Sequence, residues 1–79
     1  MKFGSILREL RQTEGLSQMQ LAIKSGLSQS AIAHWELGET EPTAGALITL
    51  AEFFDISIDE LLGRKVTYKR QFDYYIIYF

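Results

Sequence analysis

The sequence predicts an all-α domain of five short helices over residues 1–63, followed by a short aromatic tail at 64–79 with possible β-strand character. Three observations predict it. Apolar residues recur at three- and four-residue spacing through residue 62, the repeat of one helix face. Ser or Thr stands before most of these runs, twice with Gln or Glu three positions later, which is a capping box. Glycines at 15, 26, 38 and 63 fall where the runs stop, as helix-terminating residues do. With 79 residues there is room for a single core, and 47% hydrophobic against 23% charged residues argues against disorder.

The first helix is expected from about Phe3 to Thr13, with Phe3, Leu7 and Leu10 on one face and Gly15 closing it. Ser17 caps the second helix, Gln20 completes the box, and Leu16 and Leu21 can pack as a hydrophobic staple. This helix ends near Ser25, and Gly26 makes the turn. Ser28 caps the third helix, which runs to Leu37 before Gly38, with Leu27 and Ile32 repeating the staple. The short link Gly26-Leu27-Ser28 forces a sharp crossing. Trp35 follows Ile32 at i+3 and reads as core; Leu37 is either exposed or a closing contact. Pro42 follows a polar loop, and Thr43 caps a fourth helix from Ala44 to Phe54 whose apolar set is Leu47, Ile48, Leu50, Ala51 and Phe54. The fifth is brief, with cap Ser57, box residue Glu60, staple Ile56 and Leu61, and stop Gly63.

The tail changes character. Val66-Thr67-Tyr68 and the run from Phe72 to Phe79 are β-branched and aromatic, which favours strand. An open segment of this kind invites aggregation and has to be covered, by the same segment of a second copy or by the domain's own surface. Pairing between copies is the favoured expectation, which makes Tyr68, Phe72, Tyr74, Ile76 and Tyr78 candidate dimer-interface residues.

Composition excludes several functions. Without cysteine there is no disulfide framework or thiolate metal site, and one histidine cannot build a multi-histidine centre. No metal or cofactor is expected. The opening MKFGSILREL breaks its apolar residues with charges and is no signal peptide. No run nears the roughly 18 apolar residues of a membrane span, so a cytoplasmic protein without a membrane partner is expected. The net charge of −2 is unevenly spread: residues 39–60 carry six acids and no Lys or Arg, whereas Arg64, Lys65, Lys69 and Arg70 follow.

Two short helices joined by a glycine-containing turn make a helix-turn-helix unit, whose second helix can lie in the major groove of DNA. The residues Phe3-Gly4, Leu7, Leu10-Arg11, Gly15-Leu16-Ser17-Gln18, Leu21-Ala22, Gly26-Leu27-Ser28, Ile32, Trp35-Glu36, Gly38, Pro42, Leu50-Ala51 and Leu61-Leu62-Gly63 sharpen this. Through them, residues 3–63 resemble the lambda-repressor/Cro type of helix-turn-helix domain, the Xre family; the tail lies outside the resemblance.

The resemblance implies a five-helix domain that binds double-stranded operator DNA as a homodimer. It makes the third helix the recognition helix and gives Ser28, Gln29, Ser30 and Ala31 the positions that reach base edges. Their chemistry suits the task. Gln29 can pair two ways with adenine, Ser30 can donate or accept, and the Ala31 methyl can touch a thymine methyl. His34 sits one turn on, a surface residue able to reach a base or phosphate. Gln18 matches the family's phosphate contact at the start of the second helix, with Ser17, Lys24 and Arg8 as further phosphate candidates. Ser17 and Ser28 serve first as caps. The resemblance also implies an ion pair between Arg11 and Glu36, tying the first helix to the end of the third.

Some features depart from the family pattern. The loop after the third helix carries Glu39 and Glu41 where bases are usual, and that helix has no Lys or Arg. One monomer should therefore bind weakly, and two half-sites about 34–36 Å apart would combine their contributions. The expected function is a sequence-specific transcriptional regulator, a repressor of phage, plasmid or bacterial type. The alternative is an antitoxin-type or other protein-binding module that keeps the fold, its acidic loop and aromatic tail facing a toxin-like partner. An enzyme is not expected, because no nucleophile motif, phosphate-cradling glycine loop or metal-ligand spacing occurs.

Overall fold

The computed structural model describes residues 3–64; the tail residues Tyr68, Phe72, Tyr74, Ile76 and Tyr78 lie outside the described residues. Five helices follow one another: α1 (Phe3–Thr13), α2 (Gln18–Ser25), α3 (Gln29–Leu37), α4 (Ala44–Phe54) and α5 (Ile58–Leu61). No strand occurs among the described residues.

The starts of α2 to α5 are set by side-chain caps. Ser17, Ser28, Thr43 and Ser57 each accept a hydrogen bond from the backbone N–H three residues on, and Gln20 and Glu60 close capping boxes on the first and last of these. The helix ends follow an equally local rule. After α1 and α3 the chain turns through left-handed Gly15 and Gly38, and the next residue returns a 3.0 Å bond to the carbonyl five positions back, from Leu16 to Arg11 and from Glu39 to His34. After α4 the same turn is made by Asp55, at φ 57°, with Ile56 donating to the Ala51 carbonyl. The sequence pattern gave no sign of this turn, since no glycine stands there.

Phe3, Leu7, Leu21, Ile32, Trp35, Ala46, Leu50, Ala51 and Leu61 form one buried cluster. The expected staple residues Leu16, Leu27 and Ile56 pack against it from the helix entries. Trp35 fills the core as anticipated, its ring edge-on to Phe3 with centroids 6.0 Å apart. Leu37 is exposed. Ile48, one of the apolar set of α4, also faces outward, and Ala46 is buried instead. Two positions along a helix are about 200° around it, so Ala46 and Ile48 cannot share a face; Ala46, in line with Leu50, takes the interior.

α1 lies across α3, which also contacts α2. The approach of α1 to the end of α3 is close enough to require glycine. A methyl group at Gly4 would collide with the Trp35 carbonyl oxygen and sit 3.1 Å from that of Glu36. No helix among the described residues is long and apolar enough to cross a membrane.

Candidate nucleic-acid interface

α3 is anchored from one side and open on the other. Ile32, Trp35 and Glu36 are buried beneath it, while Ser28, Gln29, Ser30 and His34 are exposed and Ala31 is half-buried. The Ser28 hydroxyl oxygen accepts from the Ala31 N–H at 3.1 Å, so Ser28 is a cap with its own O–H still able to donate. The side chains of Gln29 and Ser30 have no hydrogen-bond partner among the described residues. The His34 imidazole faces Glu39, with Nε2 3.8 Å from a carboxylate oxygen. The sequence thus placed the outward residues of this turn correctly, and their helix is held by packing that none of Ser28, Gln29 or Ser30 supplies.

At the other end of α3 sits a buried charge. The Glu36 side chain is 0% exposed, and the Arg11 guanidinium donates to both its carboxylate oxygens, from Nε at 2.7 Å and from Nη2 at 2.9 Å. Arg11 Nη1 donates to the Leu16 carbonyl at 2.8 Å, which draws in the link between α1 and α2. The expected ion pair is present, in bidentate form. Burial pushes the Glu36 carboxyl up; hydrogen bonds from Arg11 and Gln18, the Arg11 charge and a bond from Arg8 outweigh it and hold Glu36 below the usual carboxylate range. The same hydrogen bond raises the Arg11 guanidinium further above its ordinary value, against burial.

Two residues expected as phosphate contacts also converge on this carboxylate. Gln18, on the first turn of α2, donates from its amide nitrogen to Glu36 Oε1 at 3.0 Å. Arg8 donates to the Glu36 backbone carbonyl at 3.3 Å, with its Nε 3.5 Å from Oε1. The link from α2 to α3 through Gln18 and Glu36 was invisible in the sequence, because nothing in a linear spacing of 18 residues shows which helix faces meet. The other two phosphate candidates stand apart from Glu36. Ser17 is exposed and caps α2, and Lys24 is exposed in its last turn with no ion pair among the described residues.

The geometry is that of a helix-turn-helix module, with α2 and α3 joined through left-handed Gly26 and the first turn of α3 offered to solvent. Residues 7–61 match the family model described as helix-turn-helix, and the chain belongs to that family. Over 63 residues it is 40% identical to the HTH-type transcriptional activator BcrR of Enterococcus faecalis, covering 80% of this chain and 31% of BcrR. It is 37% identical over 71 residues to the cryptic phage CTXphi transcriptional repressor RstR of Vibrio cholerae, covering 90% of this chain and 63% of RstR. The chain therefore spans less than two thirds of either curated relative. Among solved structures it is similar to the restriction-modification controller protein C.AhdI of Aeromonas hydrophila, at 43% identity and a TM-score of 0.69, over 76% of this chain and 91% of that one.

Proposed function

We propose that this protein binds double-stranded DNA and regulates transcription, reading base edges in the major groove with Ser28, Gln29, Ser30 and Ala31 from the first turn of α3. The observation that carries the reading is the free amide and hydroxyl of Gln29 and Ser30, displayed on a helix whose opposite face is locked into the core. A bidentate glutamine–adenine pair discriminates by about 1–3 kcal/mol per base. The relatives named as transcriptional regulators support the same role. They include an activator and a repressor; repression is the sign we favour, since occupying a promoter requires no further surface. The binding form is a homodimer, because a recognition helix without Lys or Arg beside exposed Glu39 and Glu41 gives one copy few phosphate contacts. The protein acts by binding, not catalysis, in the cytoplasm.

In-vitro selection of duplexes from a random pool, repeated with Gln29→Ala, tests the reading. The wild type is expected to enrich one consensus and the variant to lose preference at one position of each half-site. An unaltered consensus removes Gln29 from the reading surface. No enrichment by the wild type favours a protein-binding module instead.

A further inference from the structure

We infer that the outer face of α4 and α5 is a docking surface for the chain's own residues 65–79, with the basic stretch of the tail set on acids and its aromatic run on exposed isoleucine. Residues 44–63 carry four acids, Glu52, Asp55, Asp59 and Glu60, and no Lys, Arg or His. Glu52 and Asp55 are exposed, and no cation stands within 4.0 Å of either among the described residues. Ile48, one turn before Glu52 on α4, is 49% exposed, and Ile58 at the start of α5 is exposed as well. Residues 64–79 have the complementary make-up. They hold four bases, Arg64, Lys65, Lys69 and Arg70, against the single acid Asp73, and then the aromatic run that ends at Phe79.

The chain turns back toward this face where the described residues end. Past left-handed Gly63, the Arg64 N–H donates to the Asp59 carbonyl at 2.9 Å, and the Arg64 guanidinium stands 3.6 Å from the Asp59 carboxylate. The first of the four bases is thus already paired with an acid of its own copy. The order of the two patterns matches too. Receding from α5, the exposed positions of α4 and its cap are Asp55, Glu52 and Ile48; receding from Arg64, the tail offers Lys65, Lys69 and Arg70 before Phe72. A tail running back along α4 therefore meets acids first and isoleucine next. Its length suffices, since residues 65–79 reach about 50 Å when extended and α4 is about 16 Å long. Exposed ion pairs hold weakly by themselves, so the charges set the register and the apolar contact supplies the seat. Docked in this way, the tail is covered without a second copy, and the first turn of α3 stays open.

The test uses the full chain, whose lack of cysteine lets Gln71→Cys carry a single nitroxide label without altering any charge. Amide NMR signals of Ile48 and Glu52 are expected to lose most of their intensity, while those of Ser28 to Ser30 on α3, which packs on α1 and α2, are expected to stay sharp. Reversing the tail charges with Lys69→Glu and Arg70→Glu is expected to restore the Ile48 and Glu52 signals. Adding Glu52→Lys and Asp55→Lys to that variant is expected to broaden them again, which a merely structural effect of either pair would not do. A dilute mixture of isotope-labelled chain without nitroxide and nitroxide-labelled chain without isotope separates the two possible sources of the tail. Broadening in the mixture as strong as in the doubly labelled chain assigns the face to the tail of a second copy and overturns the inference. Signals that broaden evenly over all helices, or not at all, also overturn it and leave the face for a different partner. Indifference to both charge reversals removes the acids from the seat and overturns it as well.

Discussion

Gly4 faces the carbonyl oxygen of Trp35 so closely that a Cβ at this position would collide with it, and no side chain fits between α1 and the end of α3. Gly4→Ala must therefore push the two helices apart or distort the last turn of α3. Overpacking of this kind costs about 1–3 kcal/mol. In a domain of this size that lowers the melting temperature by roughly 4–8 °C per kcal/mol. Because Trp35 shares α3 with Gln29, DNA affinity is expected to fall too. Circular dichroism melts and anisotropy titrations on one preparation check both; a variant matching the wild type would show that the helices tolerate the extra methyl.

Arg11→Ala removes both short bonds to a buried carboxylate and the tie to the Leu16 carbonyl. Stranding a buried charge costs about 3–5 kcal/mol, and Gln18 and Arg8 recover part of it. A loss of about 3 kcal/mol is expected in urea melts at neutral pH, with weakened duplex binding and unaltered base preference. Unchanged stability would mean that the pair contributes nothing net.

Acid should act at the same place. Glu36 holds its proton less readily folded than unfolded, so its contribution is fully present above the unfolded carboxyl value, about 4.3, and fades as the pH falls through the lower folded value. Glu36→Gln is expected to be less stable than the wild type at neutral pH. The difference between the two should narrow below about pH 4. Melts of both proteins over this range measure the gap, and a gap of constant width would place the acid-sensitive group elsewhere.

Asp55→Gly is expected to stabilise. Asp55 holds a left-handed conformation at φ 57°, and it stands with Glu52 at the negative end of α4, whose last turn has no basic residue. Glycine removes the backbone strain and the like-charge repulsion, although it adds flexibility to the unfolded chain. The net gain should be roughly 0.5 kcal/mol, seen as a melting temperature higher by a few degrees. A lower melting temperature would show that the Asp55 side chain holds the turn together.

Helix boundaries were legible because they are local. Each cap or box lies within four residues of its partner, as with Ser17 and Gln20, so the chain carries the instruction in short words. The exposed first turn of α3 was legible for the same reason, since Ile32 and Trp35 define the buried face. Three things were not. Asp55 ends α4 in a conformation that glycine usually signals. Ile48 lost the interior to Ala46 because the phase of the helix outranked side-chain size. Gln18 and Arg8 looked like free donors at the surface, and only the crossing of three helices shows that both turn toward Glu36. The Arg11–Glu36 pair, 25 residues apart, came from family resemblance and not from spacing.

The side chains of Gln29 and Ser30 contribute neither a core contact nor a hydrogen bond to the described domain. Under the proposed reading of bases by this turn, folding and target choice are written in separate letters. New binding preferences would then be acquired at these two positions by ordinary point mutation, without passing through an unstable intermediate, which leaves the scaffold free to diversify.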